Sequence, residues 1–96
     1  MYIKYTKLAD KHILAFGLYA ALADQSVASG EEVIRQIRSF IRETIALVPT
    51  IGFQIYESPI VRRVPDKYGR TIYFRYFPNK DTVEILGVYK GNRKKL

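Results

Sequence analysis

The spacing of apolar positions changes period along this chain, and each change marks an element. Tyr2 to Thr6 alternates and is rich in β-formers, which predicts a short first strand. From Lys7 to about Asp24 the period becomes helical, with Ala9, Ile13, Phe16, Ala20 and Ala23 on one face. A second apolar set, Leu14, Leu18, Ala21 and Leu22, is expected to widen the buried arc. A helix this apolar on a small domain has to touch two things. One is the sheet; the other is the next helix or a partner chain. Gln25 to Gly30 is expected to be a turn, with Ser29-Gly30-Glu31-Glu32 as a capping box for a second helix and its acids at the positive end of the helix dipole. Ile34, Ile37, Ile41, Ile45 and Val48 follow at helical spacing, and Pro49 is placed to end the ladder. The short link predicts an antiparallel helical hairpin.

After Thr50-Ile51-Gly52 the period falls to two. Phe53 to Tyr56 and Ile60 to Val64 read as one or two strand pieces broken around Ser58-Pro59. Lys67-Tyr68-Gly69-Arg70 reads as a turn, and Thr71 to Phe77 as a strand with Ile72, Phe74 and Tyr76 on one face and Tyr73, Arg75 and Phe77 on the other. Pro78-Asn79-Lys80-Asp81 is a hairpin turn into a last strand, Thr82 to Tyr89, followed by a basic tail. This order, β-α-α-β-β-β, predicts an α+β domain: a helical hairpin packed on a twisted, mainly antiparallel sheet.

Composition narrows the chemistry. Ninety-six residues, 1–96, make one domain. There is no cysteine and one histidine, His12, so thiolate and imidazole metal sites are excluded, and neither a metal nor another cofactor is expected. His12 is assigned no catalytic role. No apolar run reaches the ~18–20 residues of a membrane span, and Met-Tyr-Ile-Lys-Tyr lacks the features of a signal peptide, so a soluble cytoplasmic protein with no membrane partner is expected. Sixteen Lys and Arg against nine Asp and Glu give a net charge of +7. Such a field favours an acidic protein or a nucleic acid as partner, although charge also serves solubility.

Several segments in this order resemble the RelE/ParE toxin superfamily: Lys7-Leu8-Ala9-Asp10 opening the first helix, Leu47-Val48-Pro49-Thr50-Ile51-Gly52 closing the second, Val61-Arg62-Arg63-Val64, Ile72-Tyr73-Phe74-Arg75-Tyr76, and the run from Thr82 to Arg93 with its Gly91-Asn92-Arg93 finish. The resemblance implies a type II toxin, encoded beside a small, acidic, partly disordered antitoxin whose C-terminal segment wraps the helices and sheet. It also implies one of two targets. RelE-like members cut mRNA on the ribosome, whereas ParE-like members poison DNA gyrase without chemistry of their own. The long hairpin and the Val88-Tyr89-Lys90-Gly91-Asn92-Arg93 ending look ParE-like. Lys90 stands where many members carry histidine, and no tyrosine follows Arg93.

The residues themselves leave these alternatives open. Ribonuclease chemistry needs a proton acceptor, cations at the phosphate and a proton donor. Arg62, Arg63, Arg75 and Arg93 suit the cationic role, since a guanidinium fork matches phosphate, but arginine is a poor base. Glu57, Glu84 or a lysine would have to accept the proton. The expected target-binding set is Arg62, Arg63, Arg75, Tyr89, Lys90 and Arg93, with Arg62 and Arg63 on opposite sheet faces. Arg35, Arg38 and Arg42 form a stripe on the second helix, read as a solvated face supported by a Glu31–Arg35 pair. The other reading gives Arg38 and Arg42, with Leu14, Leu18 and Leu22, to the antitoxin. Tyr73, Tyr76 and Tyr89 are expected mainly to pack, although tyrosines beside arginines also stack single-stranded bases. A small non-toxic nucleic-acid-binding module is the third possibility, with strongly salt-dependent binding as its signature.

Overall fold

The computed structural model describes residues 1–55 and 58–91. Strand β1 (Tyr2–Tyr5) leads into helix α1 (Lys7–Asp24) and helix α2 (Val27–Phe40), which continues as one wide turn of π-helix over Ile41–Ile45. Strands β2 (Phe53–Ile55), β3 (Ser58–Pro65), β4 (Arg70–Phe77) and β5 (Thr82–Lys90) follow, with a 3₁₀ turn over Pro78–Lys80 before the last. Four strands therefore follow the helices. The sheet order is β1-β5-β4-β3-β2. Among the described residues only β1 and β5 pair in parallel, which is possible because the whole helical hairpin serves as their crossover.

Thr6 joins sheet to helix. Its N–H donates to the Ile85 carbonyl, extending the β1 ladder, while its hydroxyl oxygen accepts from the Ala9 N–H at 3.0 Å and caps α1. Gln25 ends α1 in the left-handed conformation, φ 52°. Ser26 caps α2 at once, its Oγ accepting from Ser29 N–H. The second helix thus starts three residues before the expected Ser29 box, and residues 27–30 are helix rather than turn. Packing explains the shift. A Cβ on Gly30 would stand 2.6 Å from the Gly17 carbonyl oxygen, and one on Gly17 would stand 2.7 Å from Ile34 Cδ1. The two backbones touch through these glycines, so Gly30 belongs to the helix crossing.

Ala9 and Ile13 of α1, with Ile37, Ile41 and Ile45, bury against Val64, Ile72, Phe74, Val83, Ile85 and Val88. The wide turn keeps Ile45 in this core but swings Val48 out to half exposure. The Val48 N–H still donates to the Thr44 carbonyl at 3.0 Å, so the last ladder bond falls at the residue before Pro49. On the opposite sheet face Ile55, Val61 and Tyr73 form a smaller cluster with Leu86 and Tyr89 against it. The β4 faces divide as the alternation predicts. Between Tyr73↔Gly87 and Phe74↔Ile85 the register slips, leaving Leu86 as the extra residue of a bulge in β5. Ser58 and Pro59 lie inside β3 and do not break it. Among the described residues no helix is long and apolar enough to cross a membrane.

Candidate functional site

The five expected target-binding residues that fall in the described chain are divided between the two sides of the sheet. Arg63 pairs across from Tyr73, and Arg75 across from Val61 and Glu84, so both arginines share the open face, away from the helices. Tyr89 lies on this face too, but opposite Thr71, four residues along β4 from Arg75 and thus roughly 13 Å away at strand rise. Arg62 shares the face of Phe74 and Val64, and its Nη1 donates to the Gly52 carbonyl at 3.2 Å. Lys90 is on the side of Val88, toward α1. Arg93 and Glu57 lie outside the described residues.

Arg75 is not an open cation. Its Nε and Nη2 donate to Glu84 Oε1 at 3.1 and 2.5 Å, and Lys4 Nζ lies 3.9 Å from Glu84 Oε2. The three residues meet because Lys4 and Arg75 flank Glu84 on neighbouring strands. The Arg75 guanidinium also lies over the Phe77 ring, with Lys80 on that ring as well, and Arg63 over Phe53. Chemically this is a cationic, aromatic-bordered surface suited to binding. Both oxygens of Glu84 already face a cation, Arg75 on one and Lys4 on the other. Tyr73 is fully buried, so it packs rather than stacks with bases. Tyr76 packs on the helix-side core. Among the described residues no three His, Asp or Glu side chains gather as a metal site.

The helical hairpin presents two different outer surfaces. On α1, Leu14, Leu18 and Leu22 do not join the buried arc as expected but are 64%, 58% and 69% exposed, with Tyr19 beside them at 72%, because the buried face of α1 runs through Ala9, Ile13 and Gly17. On α2 the basic stripe is engaged within the chain. Arg35 pairs with Glu32, not with Glu31 as expected. Arg38 reaches Asp10 of α1 at 3.6 Å and lies over the Tyr5 ring. Arg42 donates to Ser39 Oγ at 3.1 Å and approaches Glu43.

Two polar constellations escaped sequence reasoning. Asp66 and Arg70 form a buried ion pair across the β3–β4 turn, Nε to Oδ2 at 2.7 Å. Asp66 Oδ1 also accepts the backbone N–H groups of Tyr68 and Arg70, and Arg70 Nη2 reaches Gln36 Oε1 of α2 at 3.2 Å. Asp66 lines a cleft of about 490 Å³ between α2 and the turn. An Asp four residues before an Arg around Gly69, whose φ is +84°, was the available signal. The second is His12, whose Nδ1 accepts the Val88 N–H at 3.1 Å while its ring meets Tyr89 edge-on at 4.8 Å. Burial lowers its pKa below the usual 6.5. No local pattern marks a partner 76 residues away.

No protein-family model matches this sequence. No curated protein matches it either. Solved structures do. A chain of the chromosomal ParDE TA system from P. aeruginosa superposes with a TM-score of 0.76 at 15% identity, over 96% of this chain and 97% of that one. The isolated E. coli RelE toxin gives 0.65 at 16% identity, over 98% and 87%. A chain of the intact E. coli RelBE toxin–antitoxin complex gives 0.67 at 16%, over 96% and 98%. The chain has the RelE/ParE-like α+β fold.

Proposed function

We propose that this chain, built on the RelE/ParE-like fold, is the toxin of a type II toxin–antitoxin pair and arrests growth by binding DNA gyrase. The observation that carries the toxin reading is the exposed leucine arc of α1. Three leucines and a tyrosine on one helical surface form an apolar patch of the kind that marks a protein partner. A net charge of +7 selects an acidic one. The antitoxin is thus given Leu14, Leu18 and Leu22, with Arg38 and Arg42 at the border. The gyrase reading is supported by the engagement of Arg75 with Glu84, which leaves the open face suited to binding rather than to proton transfer, and by the higher overlap with the ParDE chain.

Induced expression tests both levels. Growth arrest, relieved by co-expressing the small acidic protein encoded beside this gene, is expected, and the purified chain should inhibit gyrase supercoiling while transcripts stay intact. Rapid transcript loss with normal supercoiling would overturn the gyrase assignment.

The second reading, a ribosome-dependent mRNA endonuclease, is favoured by the grouping of Lys4, Arg63 and Arg75 with Phe53 and Phe77 on one face. It predicts codon-linked cleavage that Arg75→Ala abolishes. Unchanged transcript ends on expression of the wild-type chain would remove it.

A further inference from the structure

On the side where β1 lies, β5 has a strand beside it only from Thr82 to Ile85; among the described residues there is none from Leu86 onward. Strand edges of this kind are commonly covered by other parts of the fold. Two side chains do so here. The Thr6 hydroxyl donates to the Leu86 carbonyl at 3.2 Å while accepting from the Ala9 N–H, and His12 Nδ1 accepts the Val88 N–H at 3.1 Å. They differ in chemistry. A threonine hydroxyl keeps both of its bonds over the ordinary pH range, whereas an imidazole nitrogen accepts only while it is unprotonated.

The strand is shaped for the ring. A Cβ on Gly87 would stand 3.1 Å from His12 Nδ1 and 2.9 Å from Tyr89 Cε2. Glycine there lets the imidazole lie against the backbone, with Tyr89 edge-on to it at 4.8 Å and Tyr73 edge-on to Tyr89 at 5.3 Å. Tyr73 is buried, but His12 is only half-buried, so solvent protons reach it. A groove of about 310 Å³ beside the ring is lined by Tyr19 and Phe16 of α1 and by Val88 and Lys90 of β5. The titratable groups that touch the ring or line this groove are therefore Tyr19, Tyr89 and Lys90. No carboxylate is among them to pair with an imidazolium.

We infer that His12 is a proton-operated latch on the strandless edge of β5: the neutral ring holds α1 to the strand, and the imidazolium releases it. With Nδ1 accepting, the neutral ring carries its proton on Nε2. A second proton can enter only at Nδ1, where it would face the Val88 N–H, donor against donor. The bond breaks, and the cation, with no carboxylate beside it, turns toward water. Burial lowers the His12 pKa from 6.5, so the latch is closed above that value and opens as the pH falls through the lowered one. Ala9 and Ile13 remain in the core and Thr6 keeps its bonds, so the opening is local. It uncovers the Val88 N–H and unseats Tyr89 without unfolding the domain. The latch works in this way whatever the chain's target, so the fate of the toxin reading does not decide it.

The chain has one histidine, so its ring signals are unambiguous in the ¹⁵N-labelled full chain. At about pH 8 the imidazole nitrogens should show the Nε2–H tautomer. Between about pH 8 and 5 the Val88 amide resonance should move with the midpoint of the His12 ring, and its hydrogen-exchange protection factor should fall about tenfold or more. Ile37 of α2 should keep its protection over that range. His12→Asn puts an amide oxygen where Nδ1 stands and should hold Val88 protected with no response to pH. His12→Leu, which offers no acceptor, should leave the Val88 amide equally unprotected at every pH, and it serves alone if the Asn variant fails to fold. An Nδ1–H tautomer, Val88 protection that ignores the His12 midpoint, or a wild-type pH response in either variant would overturn the latch. So would loss of Ile37 protection at the same midpoint, since that is general acid unfolding.

Discussion

Helices α1 and α2 form one hairpin, cross through one pair of glycines, and bury isoleucines in one core, yet their outer surfaces follow opposite rules. α2 is cleanly amphipathic: isoleucines inward, charges outward, and those charges tied to Glu32, Asp10, Ser39 and Glu43. Its polar side is also bolted to the β3–β4 turn through Gln36 and Arg70. α1 buries Ala9, Ile13 and Gly17 and packs Phe16 beside them, but leaves Leu14, Leu18, Tyr19 and Leu22 mostly in water. Folding alone gains little burial from Leu14, Leu18 or Leu22 in those positions. The contrast teaches that the charges of α2 are satisfied within the chain, while α1 leaves an apolar patch of the kind that marks a protein partner.

Substitutions can break that comparison. Ile37→Ala on α2 removes a fully buried side chain and should cost about 2–5 kcal/mol in denaturant unfolding, through lost transfer energy and the cavity left behind. Gly30→Ala pushes a methyl against the Gly17 carbonyl, so about 1–3 kcal/mol is expected, with both helices affected together. Arg38→Ala breaks a half-exposed pair and should change stability by only about 0.2–1 kcal/mol. Leu18→Ala on α1 should change it by less than about 0.5 kcal/mol while weakening neutralisation in co-expression. If Leu18→Ala destabilised the chain as much as Ile37→Ala, the two helices would not differ as described.

A pH series sharpens the same contrast. Burial holds His12 on α1 below its unfolded pKa of 6.5, so the unfolded chain binds the proton first as pH falls. The stabilisation is fully present above about 6.5 and is lost as pH drops toward the folded value. Urea midpoints between about pH 7.5 and 5 should decline less steeply in His12→Leu than in the wild-type chain. No change in that slope would mean that His12 is not carrying the α1–β5 contact.

Periodicity made most of the frame legible. The two faces of β4, the opposed Arg62 and Arg63 and the inward isoleucines were all local consequences of spacing. What failed depended on contacts distant in sequence. Ser29-x-x-Glu32 is the better capping pattern on its own, but the Gly17–Gly30 approach requires Gly30 inside the helix and makes Ser26 the cap. A stripe written as Ile41, Ile45, Val48 assumes a regular helix, and the wide turn at Ile41–Ile45 moves Val48 out. The candidate arginines were visible as residue types. Their pairing was not, because Glu84 reaches Arg75 through strand register and Arg62 turns to Gly52 only after β2 and β3 pair.

The parallel pairing of Tyr2–Tyr5 with Thr82–Ile85 has a consequence for synthesis. β5 sits between β1 and β4 and supplies Val83, Ile85 and Val88 to the core, so the first strand made has no place to dock until the last one emerges. Such distant closure makes folding late and cooperative rather than progressive. A nascent chain interrupted before Val83 lacks both an interior strand and the partner of its own N-terminus, and only a chain translated through β5 can close the sheet.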